Sequence, residues 1–163
     1  MTTAVDGTVL DRRILVAPRA PEAQLADAEA RSVRVLRREV AALLRHIGLA
    51  ELIDSTSLVV SELMTNAMLH SGTEEIRLTI VVQNGFLHIV VIDGMPGRAA
   101  PTPAAVTAES GRGLLLVQSV AEDHGGTWGV SDAGARTWCR LAVPTNPGPT
   151  LPQADGLTRP RSA

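Results

Sequence analysis

Apolar and polar residues alternate with two different periods along the chain, and the change of period marks the predicted elements. Residues 21–46 and 54–70 carry apolar side chains at helical spacing, which predicts two amphipathic helices. Residues 75–82 alternate between apolar and polar, as a half-buried strand does, and residues 86–93 are apolar on both faces, as a central strand is. The Asn84-Gly85 pair between these strands has the composition of a tight hairpin turn.

The rest of the ordered chain continues the same kind of pattern. Residues 14–17 suit a short first strand, and a helix over residues 114–121, opened by Gly113, precedes strands over 126–131 and 136–143. Strands that follow one another in the chain are joined by hairpins, and the helices do not lie between the two strands of a hairpin. The order predicts an α+β fold: a two-layer sandwich with a mixed, mostly antiparallel sheet and the helices on one face.

The segments outside these elements differ in composition. Residues 94–112 are rich in proline, glycine and small residues, and a loop of that length in a compact domain is usually a functional lid or disordered. Residues 1–12 are polar and predict a flexible N-terminus, whereas residues 144–163 carry many prolines and predict a disordered tail. A single domain over residues 13–143 is therefore expected.

Composition excludes several classes of function. The chain has 163 residues, 45% of them hydrophobic, and a formal net charge of −2. It therefore lacks the excess of basic residues that is typical of proteins that bind the phosphate backbone of nucleic acids. Three aromatic residues cannot form a stacking platform for single-stranded nucleic acid. The lone Cys139 excludes an internal disulfide and a multi-cysteine metal site, and its apolar surroundings indicate a core residue. Neither a signal pattern nor a membrane-length apolar run is present, which predicts a soluble cytoplasmic protein.

The first predicted helix carries five arginines on the side away from its apolar stripe. The simplest interpretation is a solvated helix face. Docking of a partner with an acidic surface is the main alternative, and DNA binding is a third possibility that the near-neutral charge balance disfavours. The five are Arg31, Arg34, Arg37, Arg38 and Arg45.

The second predicted helix has a polar stripe of unusual composition. Glu62, Asn66 and His70 follow one another at four-residue spacing, so they share one face of a helix that lacks lysine and arginine. A carboxylate such as Glu62 can accept a proton or orient a nucleophile. The carboxamide oxygen of Asn66 suits a hard divalent cation. The stripe is therefore either a functional site or a plain polar surface.

Two further positions combine a strand or helix end with a group that can bind a ligand. Asp93 ends an apolar strand, where its carboxylate either caps the following turn or accepts a hydrogen bond from a ligand amino group. Gly111-Arg112-Gly113 precedes an apolar helix, and glycines there let the backbone approach an anion closely while Arg112 adds a positive charge. An ordinary loop-to-helix turn would have the same sequence.

Taken in order, these segments resemble the conserved boxes of one family. Residues 61–70, SELMTNAMLH, resemble the N box of the histidine-kinase-like ATPase (GHKL) superfamily, and residues 91–97, VIDGMPG, resemble its G1 box. Residues 111–117, GRGLLLV, resemble its G2 box, and residues 134–137, GART, its closing motif. The N box is similar to that of anti-sigma-factor serine kinases and related actinobacterial regulators. The resemblance covers residues 14–143 and implies the Bergerat ATP-binding fold with an ATP lid.

The resemblance also implies a role for individual residues. Glu62 would be the catalytic base toward a serine hydroxyl or water, and Asn66 would help to hold Mg²⁺ against the phosphates of ATP. Asp93 would accept from the adenine amino group, with Thr137 nearby. The implied nucleotide-contacting set is Asn66, Asp93, Gly97, Gly111, Arg112, Gly113 and Thr137.

The implied activity is that of an ATP- and Mg²⁺-binding anti-sigma factor. Such a protein sequesters a sigma factor, phosphorylates a serine on an anti-anti-sigma (STAS-domain) partner, and is a possible homodimer with no nucleic-acid or membrane partner. The match departs from the family at Met95, which occupies the first glycine position of the G1 box. That departure leaves open an alternative in which the domain is a weak or inactive ATPase that acts by binding a regulator.

Overall fold

The computed structural model describes residues 6–17, 24–70, 73–93, 111–131 and 135–145. A one-turn 3-10 helix, Ala50–Leu52, joins the first two helices. The other elements, in chain order, are β1 (Gly7–Leu15), α1 (Asp27–His46), α2 (Ile53–His70), β2 (Glu75–Gln83), β3 (Phe86–Ile92), α3 (Gly111–Asp123), β4 (Thr127–Ser131) and β5 (Arg136–Ala142).

The five strands form one sheet in the order β1-β2-β3-β5-β4, and every pairing between them is antiparallel. The β2–β3 hairpin turns at Asn84 and Gly85, whose φ angles of 52° and 77° are those of the turn that the Asn-Gly pair predicts. Ile89 of β3 lies opposite Ile80 on one side and Cys139 on the other, so a continuous apolar row crosses the sheet.

The core lies between one face of this sheet and the three helices. Helix α2 contacts β2, β3 and both other helices, whereas α1 packs on β1 and α3 on β4 and β5. Alternate residues of the central strands are fully buried beneath the helices, and their burial supplies the main driving force for folding. They are Ile76, Leu78, Ile80, Leu87, Ile89, Cys139 and Leu141. The predicted two-layer α+β sandwich is confirmed.

The first strand is longer than the sequence indicated. Residues 7–12, predicted as part of a flexible N-terminus, belong to β1, which pairs with β2 along its whole length apart from a register shift between Thr8 and Leu10. Ion pairs from the exposed side chains support this strand: Arg77 bonds to Asp11, and Arg12 Nε lies 2.9 Å from Glu39 Oε2 on α1. These partners are distant in sequence, so a local pattern does not reveal them.

Two helix boundaries also differ from the prediction. Helix α1 begins at Asp27 rather than at residue 21, because the Glu29 carboxylate accepts from the Ala26 amide at 3.1 Å and fixes the first turn there. Helix α3 begins at Gly111 and includes Arg112 and Gly113, which were predicted to precede it or to open it. The rest of the predicted loop, residues 94–110, and residues 146–163 of the predicted tail lie outside the described residues.

None of the described helices combines the length and the apolar character needed to cross a membrane.

Candidate functional site

The polar stripe of α2 differs from a solvent-facing helix surface. Helix α2 buries eight residues against the sheet and the neighbouring helices. The five polar residues of the stripe, by contrast, are all half-buried; they are Ser61, Glu62, Thr65, Asn66 and His70. On α1, by comparison, the arginines are exposed. The α2 stripe therefore lines a partly enclosed surface, which favours the site interpretation over that of a plain polar face.

Glu62 lies against the first turn of α3. A Cβ atom built on Gly113 would collide with Glu62 Oε2 and would lie 3.4 Å from Glu62 Cδ. Glycine at this position is thus what allows the carboxylate to approach the α3 backbone. The N-box residue and the G2-box residue, 51 positions apart in sequence, meet directly in the fold.

Replacing Gly113 by alanine is expected to displace the Glu62 carboxylate without unfolding the domain. Gly113 has no positive φ, and alanine is about 1 kcal/mol more favourable than glycine within a helix, so thermal stability should be unchanged or slightly higher. Misplacement of a reacting group costs roughly 10- to 100-fold in rate, which is the loss we expect in any reaction that uses this carboxylate. Ser119→Ala on the exposed side of α3 is the control. An unchanged rate in Gly113→Ala would show that the reaction does not depend on the position of the Glu62 carboxylate.

A second contact joins α2 and α3 at the end away from Gly113. Ser55 Oγ, in the first turn of α2, lies 2.7 Å from Nε2 of His124, which follows the last turn of α3. This contact joins the start of α2 to the end of α3, whereas the Glu62–Gly113 contact joins the middle of α2 to the start of α3. The two helices therefore run antiparallel. The sequence analysis did not single out Ser55, and the 69-residue separation leaves no local signal that could reveal the pair.

Asp93 and Thr137 are neighbours on the helix-facing side of the sheet. The Asp93 amide donates to the Ala135 carbonyl at 2.9 Å, which extends the β3–β5 pairing beyond Ile92. Thr137 lies opposite Val91, two residues before Asp93, and side chains two residues apart share a face. Asp93 is 8% exposed and Thr137 is half-buried. A nearly buried carboxylate at a strand end suits a hydrogen bond to a ligand more than it suits solvent.

The first turn of α3 has the properties of an anion site. Its leading backbone amides have no partner within the helix, and no acidic residue lies in this turn to occupy them. The exposed Arg112 makes no ion pair with another described residue. The arrangement offers backbone donors and one guanidinium group, with the Glu62 carboxylate against the same turn.

A metal at this site would depend on ligands from the nucleotide. Within the described ranges, no cluster of three or more His, Cys, Asp or Glu side chains could hold an ion by itself. Mg²⁺ is commonly bound through one or two protein oxygens together with phosphate oxygens, and the half-buried Asn66, one turn from Glu62, supplies such an oxygen. The residues present therefore fit Mg²⁺ that arrives with a phosphate ligand.

Cys139 is not a reactive group of this site. The side chain is fully buried in the central row of the sheet, and burial raises the pKa of its thiol to about 12. A thiolate is therefore strongly disfavoured at neutral pH. The predicted role of Cys139 as a core residue is confirmed.

The predicted site residues thus form two groups around α2, β3 and α3. In the first group, Glu62 and Asn66 lie on α2, and Glu62 contacts Gly113. In the second, Asp93 and Thr137 share the helix-facing side of the sheet at the end of β3. Gly97 and Met95 lie outside the described residues.

Comparison with known proteins identifies a family for the greater part of the chain. A family model for the histidine kinase-like ATPase domain matches residues 26–141, a span that includes α1 and every element of the site. A search of curated proteins gave no significant match. Since the matched span is most of the chain and ends within β5, the chain belongs to the histidine kinase-like ATPase domain family.

Proposed function

We propose that this protein binds ATP with Mg²⁺ and transfers the terminal phosphate to a serine hydroxyl of a partner protein, as an anti-sigma factor acting on a STAS-domain protein. The observation that carries the proposal is the contact between the Glu62 carboxylate and the α3 backbone at Gly113. That contact puts a proton acceptor beside a helix N-terminus suited to phosphate. Phosphoryl transfer needs a positioned nucleophile and charge neutralisation more than covalent help from the enzyme.

Each residue of the site has a task in this scheme. Asp93 would accept a hydrogen bond from the adenine amino group, with Thr137 beside it. Asn66 would hold Mg²⁺, which when bound neutralises charge on the phosphates. Arg112 and the free amides of the first α3 turn would bind the phosphate oxygens.

The reaction itself requires one proton acceptor. The serine oxygen forms a bond to the terminal phosphorus while the bond from that phosphorus to the bridging oxygen breaks, so that ADP leaves. The serine hydroxyl loses its proton in the same process, and Glu62 Oε2 is the group we assign to accept it. Because Glu62 is half-buried and packed against α3, its carboxylate is held in place before the nucleophile arrives.

The test is transfer of labelled phosphate from ATP to a matched STAS-domain protein. We expect the label on one serine of the partner, lost when that serine is replaced by alanine. The assay is run against a panel of such proteins encoded in the same genome as this chain. Absence of transfer to every member, under conditions in which Mg-ATP is bound, would contradict the kinase activity.

A second candidate is a binding module that retains the fold and regulates by capturing a sigma factor or another regulator. Met95 supports it, because this residue replaces the first glycine of the G1-like segment and a side chain there restricts the backbone. If Glu62→Gln left regulation in cells intact, this candidate would be favoured over the kinase.

A further inference from the structure

Five cationic side chains on α1 have no partner within the described part of the chain. All five are exposed, and none forms an ion pair or hydrogen bond with another described residue; they are Arg31, Arg34, Arg37, Arg38 and Arg45. Elsewhere, by contrast, Arg12 and Arg77 both pair with carboxylates. Like charges three or four residues apart repel one another and destabilise a helix. No contact among the described residues offsets this cost in folding free energy.

Three of these arginines lie along one line of the helix. Arg31, Arg38 and Arg45 recur every seven residues, which places them almost in register and about 10 Å apart along the axis. Val35 lies on the same outer face, four residues after Arg31 and three before Arg38, and its side chain is 51% exposed. The buried side of α1 is the opposite one; it comprises Glu29, Val33, Leu36, Val40 and Leu44.

The charged face extends into a depression between α1 and α2. Arg34, Arg37 and Arg38 line it together with Ala41 and with Ser57 of α2, and its volume is about 300 Å³. Ser57 is 7% exposed and lies in the wall formed by α2. The face therefore combines cations, an exposed apolar residue and a recess large enough for a side chain.

We propose that the outer face of α1 docks an acidic helical segment of a partner protein. Carboxylates at seven-residue spacing on that segment would meet Arg31, Arg38 and Arg45, and an apolar side chain would cover Val35. This inference stands on the charges and shape of α1 and does not depend on phosphate transfer.

A protein helix explains these features better than nucleic acid does. Arginine is among the residues most enriched at protein-binding hot spots, and the exposed Val35 gives a protein partner an apolar group to cover. A phosphate backbone offers nothing for the valine to cover.

The experiment measures binding of a labelled synthetic helical peptide of about three heptads, with glutamate at one heptad position and leucine beside it. Fluorescence anisotropy is recorded for wild type and for R31Q/R38Q. We expect the double variant to bind about tenfold more weakly, which corresponds to about 1.4 kcal/mol. Binding by wild type should weaken as salt is added.

The matched control is R13Q/R136Q. It also removes two positive charges, but from the sheet face turned away from the helices. Arg13 and Arg136 are exposed and alternate along their strands with core-facing residues. The control should bind the peptide like wild type, and both variants should keep the thermal stability and the Mg-ATP affinity of wild type. The nucleotide readout separates failure of this inference from failure of the proposed function.

Several outcomes would overturn the inference. No binding of the acidic peptide by wild type, or equal losses in R31Q/R38Q and R13Q/R136Q, would show that α1 offers no specific docking face. Tighter binding of a DNA duplex or of an anionic lipid vesicle, lost in R31Q/R38Q, would assign the face to that ligand. Self-association lost in the same variant would assign it to a second copy of the chain.

Discussion

Replacing Glu62 by glutamine is expected to slow phosphate transfer by roughly 10²- to 10⁴-fold, the usual contribution of general acid–base catalysis. Glutamine has nearly the same shape as glutamate, so the packing against Gly113 should persist. What it loses is the ability to accept the serine proton. The affinity for Mg-ATP should therefore change little, and the measurement is the initial rate of transfer to the partner at saturating ATP.

The control for this variant is Glu51→Gln. Glu51 is exposed on the short 3-10 helix before α2, so its replacement changes the net charge equally without touching the site. Transfer by Glu51→Gln should match wild type. If Glu62→Gln transferred phosphate at the wild-type rate, Glu62 would not be the proton acceptor.

Replacing Asp93 by asparagine is expected to weaken ATP binding by about 10- to 100-fold and to reduce discrimination against GTP. A hydrogen bond to a charged group is worth about 1.5–3 kcal/mol, and asparagine removes the charge. A guanine base presents an oxygen where adenine presents an amino group, and a carboxylate repels that oxygen. The asparagine amide can donate to it, so the ratio of the GTP and ATP dissociation constants should fall.

Calorimetric titration of both nucleotides into wild type and Asp93→Asn measures this ratio. Asp11→Asn is the matched control, because Asp11 is an exposed carboxylate on β1 that is hydrogen-bonded to Arg77, on the sheet face opposite Asp93. Its affinity for ATP should equal that of wild type. If the GTP-to-ATP ratio were the same in Asp93→Asn and wild type, Asp93 would not contact the base.

The sequence predicted those parts of the fold that local chemistry determines. The period of apolar residues located α2 within one residue, and Asn84-Gly85 located the β2–β3 turn because few other pairs tolerate two positive φ angles. The half-buried state of the α2 stripe agrees with the short polar groups at Glu62 and Asn66, which differ from the arginines of α1. Local pattern thus predicted the elements and the candidate residues on them.

The sequence did not predict features that depend on distant partners. Residues 7–12 become a strand because β2 pairs with them and because Asp11 and Arg12 find ion-pair partners far along the chain. The contact between Glu62 and Gly113 depends on how α3 packs on α2. A helical period says which face of a helix is buried but not which residue of another helix will lie against it.

The central claim is that Glu62, Asn66 and the first turn of α3 form a site for Mg-ATP. Calorimetric titration of ATP with Mg²⁺ into wild type, Asn66→Ala and the control Gln118→Ala tests it most directly, since Gln118 is an exposed carboxamide on α3. We predict binding by wild type and Gln118→Ala, and an affinity at least about tenfold lower, or about 1.4 kcal/mol, in Asn66→Ala. No binding by wild type at millimolar ATP, or equal affinity in all three proteins, would contradict the account.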